Sequence, residues 1–458
     1  MKIIILGAGQ VGRTAAYHLS REQAHEVTVV DSDDDVLRDL QDRLDIRTVN
    51  GNAAHPGVLE AAGGADADMI VALTSSDEVN MIACEVAHAL FRTPTKIARI
   101  RAADYTRRER LFDEGGLAVD VTISPEALVT EYVQQLINNP GALQVLDFAD
   151  GRVRLVGVRA VKGGLLIGHE LRALREHLPR HETRVAAIYR NGRSIVPEGN
   201  TVIEEGDEVF FVAARDDMRL VMKELRREEQ AARRVVIAGG GNIGFRLASA
   251  LDATNQVKLI ERDPRRARRC SEVLRHTLVL TGDAADEELL LEENIDSADV
   301  FVALTNAEEA NILSAMLARR LGCRKAMALI NKPSYAELME GGPIDVAISP
   351  QTITIGALLA YVRRGDVVKV HSLRRGAAEA IEAVAHGDRR TSKVVGRRIE
   401  DITLPPGTTI GAVVRGDTVL MAHHDTEIEA DDHVILFLTD RRHVEAVGKL
   451  FQVGVSFV

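Results

Sequence analysis

The sequence predicts an α/β protein with two Rossmann-like doubly wound parallel-sheet domains, each followed by a smaller α+β domain. Three observations carry this prediction. The chain of 458 residues is longer than one ordinary core accommodates. Its motifs occur twice, and short apolar runs alternate with helical stretches. Aromatic residues form only 3% of the chain, so Ala, Val, Leu and Ile must fill the cores, which suits parallel strands covered by helices.

Internal repetition divides the chain into two similar halves. The segment IIILGAGQVG at 3–12 recurs as VVIAGGGNIG at 235–244, and VALTSSDEVN at 71–80 recurs as VALTNAEEAN at 302–311. The patterns at 206–225 and 431–450 also correspond. A charged linker at 226–234 separates the halves. The repeat therefore predicts four domains, at 1–137, 138–228, 233–364 and 365–458.

The secondary structure follows from the apolar periodicity. In the first domain, apolar runs at 3–6, 27–30, 70–73 and 97–100 alternate with helical stretches of mixed polarity, which is typical of βαβ units. The smaller domains read as strand, helix and hairpin. Asn191-Gly192 and Gly416-Asp417 mark the two hairpin turns.

A glycine-rich motif follows the first apolar run of each half and opens a helix. In the first half it comprises Gly7, Gly9, Gln10, Val11 and Gly12, with Asp31 closing the next strand. The second half repeats the set as Gly239, Gly241, Asn242, Ile243, Gly244 and Glu261. Glycines let the backbone approach a pyrophosphate, the helix N-terminus offers unpaired N–H groups, and the acid accepts hydrogen bonds from ribose hydroxyls. The alternative is a tight turn that kept its glycines after losing its ligand.

The two acids narrow the choice of nucleotide. Asp31 and Glu261 would repel a 2′-phosphate, so the sequence favours NAD or NADH, or a plain adenine nucleotide, over NADP. ATP and ADP remain open because the motif reads ribose and phosphates and does not require nicotinamide.

Further candidate ligand contacts lie after the third and fourth strands. Asn52-Ala53 and Asp283-Ala284 occupy the place where such folds hold the adenine, and Thr74 and Thr305 end the fourth strand of each half. Helix capping is the alternative for the two threonines, because a Ser or Thr before a helix is commonly a cap.

Two arginines make the halves unequal. Arg99 and Arg101 flank the end of the fifth strand and could neutralise phosphates, whereas Leu329 and Asn331 stand in the corresponding places. Solvated charges at the sheet edge are the alternative interpretation.

Composition excludes several classes of function. The formal net charge is −11 without a long block of like charge, which argues against non-specific nucleic-acid binding. No apolar stretch is long enough to span a bilayer and Met1 leads directly into a strand, so we expect neither membrane insertion nor a signal peptide. Cys84, Cys270 and Cys323 lack metal or disulfide spacing, which indicates plain buried or semi-buried thiols. The small domains show no acid/base set for a dehydrogenase, so we do not expect an enzyme; an NAD-dependent oxidoreductase is the alternative.

At this point the sequence closely resembles the RCK (KTN) family, which includes the peripheral subunits of bacterial Trk potassium uptake systems. The stretches that carry the resemblance are MKIIILGAGQVG at 1–12, IARIR at 97–101, PGALQV at 140–145, GGGNIG at 239–244 and HSLRRGAAEAIEAVAHGD at 371–388. The resemblance implies tandem modules with crossover helices at 125–137 and 350–363. It further implies a cytoplasmic homotetramer at the inner face of the membrane, bound to a TrkH-like or TrkG-like potassium-translocating subunit that it gates.

One position departs from relatives that sense ATP, and another differs between the halves. Those relatives carry arginine inside the glycine motif where Gln10 and Asn242 stand here, so triphosphate specificity stays open. Glu126 follows Ser-Pro in the first half, where the second half has Gln351. Glu126 reads either as an acid at a helix start or, by resemblance, as a ligand of a divalent cation beside a bound nucleotide.

Overall fold

The computed structural model describes residues 1–21, 25–113, 115–195, 197–226, 231–339, 342, 344–362, 367–373, 378–439 and 443–453. These form two compact units. The first consists of Met1–Leu128 and Pro350–Leu358, and the second of Val129–Ser349 and Leu359–Val458. Both predicted crossover helices are thus divided between the units, and the four predicted domains stay a prediction.

The first unit contains the first parallel sheet, and the α/β prediction is confirmed for it. Its strands are β1 (Lys2–Leu6), β2 (Glu26–Asp31), β3 (Arg47–Asn50), β4 (Met69–Ala72), β5 (Thr95–Arg99) and β6 (Val121–Ile123). Its helices are α1 (Gln10–Ser20), α2 (Asp34–Arg43), α3 (Pro56–Ala61), α4 (Asp77–Val86) and α5 (Ala103–Thr106), followed by α6 (Pro125–Asn138), which ends in the second unit.

The strand order is β3-β2-β1-β4-β5-β6, with every pairing parallel. The order reverses between β1 and β4, which is where ligands bind in open sheets of this kind. The central strands are buried on both faces because helices cover them; Ile5, Ile70 and Ile97 are fully buried.

The first small sheet lies in the second unit and is antiparallel. It comprises β7 (Ala142–Phe148), β8 (Val153–Arg159), β9 (Thr183–Arg190), β10 (Arg193–Ile195) and β11 (Glu208–Ala214), with helices α7 (Ala173–His177) and α8 (Met218–Lys223). The predicted hairpin is confirmed. Asn191 and Gly192 connect β9 to β10 at φ values of 48° and 81°, as a tight turn with two left-handed residues requires.

The second parallel sheet repeats the first in order β14-β13-β12-β15-β16-β17. Its strands are β12 (Arg234–Ala238), β13 (Gln256–Glu261), β14 (Leu278–Thr281), β15 (Val300–Ala303), β16 (Lys325–Leu329) and β17 (Val346–Ile348). The helices are α9 (Asn242–Leu251), α10 (Pro264–Val273), α11 (Glu287–Glu292), α12 (Glu308–Arg320), α13 (Pro333–Met339) and α14 (Pro350–Val362).

The second small sheet has the order β18-β19-β22-β20-β21. Its elements are β18 (Val367–Leu373), β19 (Ala378–Val384), β20 (Thr408–Arg415), β21 (Thr418–Met421), β22 (His433–Leu438) and α15 (Val444–Phe451). Gly416, at φ 54°, forms the predicted turn between β20 and β21. Across the described ranges, no helix combines the length and hydropathy needed to cross a membrane.

The two small sheets share one apolar core within the second unit. The first sheet contributes residues such as Phe148, Leu155 and Phe210, and the second contributes Ile435 and Phe437. Polar contacts frame this core. The Gln144 side chain donates to the Ser372 carbonyl (2.8 Å), and the Ala149 N–H donates to the Glu382 carboxylate (2.9 Å).

His371 lies at this junction, edge-on to the Phe148 ring at a centroid distance of 5.2 Å. Its buried Nε2 has no hydrogen-bond partner among the described residues. Burial, reinforced by the charge of Lys369, lowers the pKa of His371 to about 4. The fold therefore holds this imidazole neutral at pH values where the unfolded chain already binds a proton.

We expect this neutral histidine to make the fold sensitive to acid. Its contribution is fully present above about pH 6.5 and is lost as pH falls towards 4, by up to about 1.4 kcal/mol per pH unit. His371→Phe should flatten the dependence of the unfolding free energy on pH in that window, measured by urea denaturation. The exposed His424 provides the control, His424→Phe. Equal slopes in wild type and His371→Phe would contradict this account.

Candidate functional site

The glycine loops between the first strand and first helix of each parallel sheet have matching geometry. Gly7 and Gly239 adopt φ values of 101° and 104°, which side chains rarely tolerate. A Cβ on Gly12 would lie 1.8 Å from the Gly7 carbonyl oxygen, and the equivalent distance from Gly244 to Gly239 is 1.9 Å. The outer glycines of each motif are therefore required by the fold itself.

The middle glycines are different. Gly9 and Gly241 have φ values of −67° and −72°, which any residue adopts, and a Cβ at either position would meet nothing within 4 Å. The fold alone does not demand glycine there. Each caps a helix N-terminus without any side-chain hydrogen bond. The open space beside those N–H groups is what the close approach of a phosphate requires.

The acids at the ends of β2 and β13 turn towards these loops. Asp31 accepts hydrogen bonds from the Ala8 N–H (2.5 Å) and the Asp33 N–H (3.0 Å). Glu261 likewise accepts from the Gly240 N–H (2.7 Å) and the Asp263 N–H (2.8 Å). Each carboxylate oxygen has a second lone pair, so the acids retain capacity for ribose hydroxyls while the backbone bonds fix their orientation.

The residues after the third strand of each sheet form a turn at the same edge. The Asn52 side chain accepts from the Ala54 N–H and the Asp283 side chain from the Ala285 N–H, both at 2.9 Å. Ala53 is buried, and Ala284 is partly buried. These turns hold the chain beside the acids, since the Gly51 N–H donates to the Asp31 carbonyl at 2.9 Å.

Thr74 and Thr305 lie directly against the glycine loops but do not cap the following helices. A Cβ on Gly7 would lie 2.9 Å from the Thr74 nitrogen. The N-cap of α4 is Ser76, whose hydroxyl accepts from the Val79 N–H. The N-cap position of α12 is occupied by Ala307, which makes no side-chain hydrogen bond. The capping alternative is therefore wrong.

The two threonines instead bond buried asparagines that sequence reasoning missed. Asn80 is fully buried, and its Oδ1 accepts from the Thr74 N–H (2.9 Å) and hydroxyl (2.7 Å). Its Nδ2 donates to the carbonyls of Thr74 (3.3 Å) and Arg99 (2.9 Å). Asn311 makes the same four bonds, to Thr305 and the Leu329 carbonyl. One amide thus ties the ends of the fourth and fifth strands together in each half.

Arg101 serves the fold and not an open anion site. Asp77, which is buried, accepts from the Arg101 N–H (2.9 Å) and the Ala102 N–H (2.8 Å) and forms an ion pair with the Arg101 side chain at 3.4 Å. The Arg101 guanidinium also donates to the Ser75 carbonyl. Glu308 acts similarly in the second half by accepting from the Lys332 N–H at 2.7 Å.

Arg99 pairs with Glu126 across a distance of 3.4 Å, and both side chains are largely buried. The Glu126 carboxylate is thus already paired with a positive charge. Among the described ranges, no three acidic, histidine or cysteine side chains converge to hold a metal ion. Glu126 sits in the first turn of α6, where a carboxylate complements the helix dipole, and its binding of a divalent cation beside a nucleotide stays a prediction.

All three cysteines are buried and unpaired by disulfides, as predicted. Burial raises the pKa of Cys84 to about 12 and that of Cys323 to about 11. The reactive thiolate form is therefore scarce at neutral pH, and these thiols contribute to packing.

Family models match both halves of the chain. Residues 3–125 and 235–350 match the TrkA-N domain, and residues 155–226 and 389–452 match the TrkA-C domain. Over its full length, and the full length of each relative, the chain is similar to proteins named Trk system potassium uptake protein TrkA. The identity is 60% for Halomonas elongata, 59% for Vibrio alginolyticus and 40% for Azorhizobium caulinodans. This shared name describes potassium uptake and no catalysed reaction, in agreement with the prediction that the chain is not an enzyme.

Solved structures show the same fold. The GsuK RCK domain aligns with a TM-score of 0.61 at 20% identity, covering 96% of this chain and 93% of that one. The GsuK channel bound to NAD aligns with a TM-score of 0.60 at 20% identity, covering 98% and 78%. Together with the tandem domain matches and the full-length relatives, this fold identifies the chain as a member of the TrkA family of Trk system potassium uptake proteins.

Proposed function

We propose that the chain is the cytoplasmic regulatory subunit of a Trk-type potassium transporter. It binds NAD(H), ATP or ADP at its two glycine loops and couples the nucleotide state to a TrkH-like or TrkG-like pore subunit. The observation that carries this proposal is the open space beside Gly9 and Gly241. The fold does not require glycine at these positions, whereas the close approach of a phosphate does. The GsuK channel, which shares the fold, has a structure bound to NAD, and this supports a dinucleotide as the ligand class.

Coupling requires two states of the assembly with different nucleotide affinity, because a ligand shifts an equilibrium only through differential binding. The strand-end network supplies a physical route for that difference. Asn80 touches both Thr74, which adjoins the glycine loop, and the carbonyl of Arg99. Arg99 in turn pairs with Glu126 at the start of α6. A ligand that moves Thr74 therefore acts on residues that lead into the crossover helix.

The first crossover helix offers little exposed apolar surface for assembly of the proposed homotetramer. Four apolar residues of the first crossover helix are buried within the chain, namely Val129, Val133, Leu136 and Ile137. Exposed apolar side chains occur instead at corresponding places on α4 and α12, where Ile82 is 49% and Leu313 is 60% exposed. Exposed apolar side chains at matching places on repeated helices are candidate contacts for assembly with further copies.

The proposal is tested by placing an aspartate in each glycine loop separately. Gly9→Asp should leave the fold intact, because φ is ordinary, the space is open and aspartate is a good N-cap. Its carboxylate would occupy the phosphate position and repel the ligand, so calorimetric titration with NAD, NADH, ATP and ADP should lose one binding event per chain. Gly241→Asp should remove the other.

Potassium uptake provides the functional measurement. In cells that lack their own copy of this subunit, the wild-type chain should restore potassium uptake through the pore subunit. With the double variant Gly9→Asp/Gly241→Asp, the uptake rate should depend neither on NAD(H) nor on ATP or ADP. Unchanged calorimetric stoichiometry in both single variants would refute the site assignment. Normal nucleotide control of uptake by the double variant would refute the coupling.

A further inference from the structure

The two nucleotide sites differ in charge at the ribose end, and we infer that they differ in specificity: Arg266 makes the second site accept a 2′-phosphorylated dinucleotide of the NADP class, which the first site rejects. This inference rests on the proposed function, because it assigns a ligand class to one of the same two sites. It revises, for the second site alone, the expectation that the acid excludes NADP.

The helices that follow the two acids correspond residue for residue at their starts. Asp33 caps α2 by accepting from the N–H groups of Asp35 and Val36, and Asp263 caps α10 by accepting from those of Arg265 and Arg266. The shared cap geometry makes Arg266 the counterpart of Val36. Both side chains are half-buried at their positions.

The first site is strongly acidic at this place. Beyond Asp31, the exposed residues Asp33, Asp34 and Asp35 follow within four positions of the sequence. Arg38, which could offset them, is engaged in ion pairs with Asp34 and Asp35. A 2′-phosphate placed beside Asp31 would therefore meet several like charges and no arginine at the position of Val36.

The second site reverses this balance. Arg262 and Arg265 replace Ser32 and Asp35 and are exposed. The Arg266 guanidinium lies 3.5 Å from the Glu261 carboxylate, whose side chain is only 6% exposed, while Arg266 itself is 42% exposed. Arg266 therefore offsets the charge of Glu261 and still presents N–H donors to solvent at the ribose end.

The chemistry of the guanidinium fits a phosphate better than a ribose hydroxyl. Arginine offers several N–H donors in a planar fork that matches phosphate oxygens. Glu261 accepts one backbone bond from Gly240 of the glycine loop and one from Asp263, and these hold the carboxylate in place while Arg266 turns towards an incoming phosphate. In Rossmann folds, an acid at the end of the second strand binds the 2′-hydroxyl of NAD, and an arginine near this position accommodates the 2′-phosphate of NADP.

The test isolates each site in the full-length chain and compares NAD with NADP by calorimetry. Gly9→Asp leaves only the second site, and Gly241→Asp leaves only the first. The ratio of the NADP dissociation constant to the NAD dissociation constant should be lower at the second site by roughly tenfold or more. Adding Arg266→Val to Gly9→Asp should raise that ratio by a similar factor with little change for NAD. Val36→Arg, added to Gly241→Asp, should lower it.

Arg268→Val is the matched control, because Arg268 lies on the same helix, is 82% exposed at its side chain and pairs with Glu272. Equal ratios at the two sites, or equal effects of Arg266→Val and Arg268→Val, would overturn the inference. So would a Gly9→Asp chain that binds neither dinucleotide. In each of these cases, NAD binding by the Gly241→Asp chain would leave the proposed function standing.

Discussion

Replacing Asn80 with alanine is expected to lower the free energy of unfolding by about 3 kcal/mol or more. The asparagine is fully buried and makes four hydrogen bonds, to the N–H, hydroxyl and carbonyl of Thr74 and to the carbonyl of Arg99. Alanine would remove the amide partner of the Thr74 N–H and of the Thr74 and Arg99 carbonyls, and each group left unsatisfied costs roughly 1 to 3 kcal/mol. Urea denaturation followed by circular dichroism measures the loss, and amide exchange at Thr74 locates it.

Two matched variants make this result specific. Ser76→Ala, which removes the cap of α4 and an exposed hydrogen bond to Glu78, should cost about 1 kcal/mol. Asn311→Ala should reproduce the effect of Asn80→Ala in the second half, because Asn311 makes the same bonds. A cost for Asn80→Ala no greater than that for Ser76→Ala would show that water replaces the amide.

Much of the candidate nucleotide site was predictable because its signals are local. The outer glycines are dictated by φ and by a backbone contact within the same turn, and Asp31 ends a strand whose apolar pattern is plain. Asn80 escaped prediction because a polar residue on a helix normally faces solvent. Its burial arises only where two strand ends meet. The recurrence of asparagine at 80 and 311 within the repeated segments was the available signal.

Long-range pairings were less predictable. The apolar face of α6 indicates that the helix is buried, but the sequence does not state against what, and the division of α6 and α14 between the two compact units could not be read from it. The same holds for the small sheets, whose inner faces build one common core. Alternation of side chains along a strand marks the face that is buried and leaves its partner unspecified.

A buried acidic residue at the core shared by the two small sheets was hardest to predict, because a glutamate in a strand is normally expected to face solvent. Glu382 is nevertheless only 1% exposed. Its Oε2 accepts from the Ala149 N–H of the other small sheet (2.9 Å), and its Oε1 lies 2.6 Å from Nδ1 of His433. Ala149 adopts φ 46° and so presents its N–H from a left-handed turn that few non-glycine residues adopt. The carboxylate thus joins the two small sheets at a conformationally costly point.

We therefore expect Glu382→Ala to destabilise the second unit by roughly 3 to 5 kcal/mol, because removing one partner leaves the buried Ala149 N–H and the His433 ring unpaired. Glu382→Gln should recover most of that loss, since its amide oxygen can still accept from Ala149. The exposed Glu400 supplies the control, Glu400→Ala, with a change within about 0.5 kcal/mol. Urea denaturation of the three variants, with amide exchange at Ala149, measures the effect. If Glu382→Ala and Glu400→Ala behaved alike, the apolar core alone would hold the small sheets together, and the carboxylate would be dispensable.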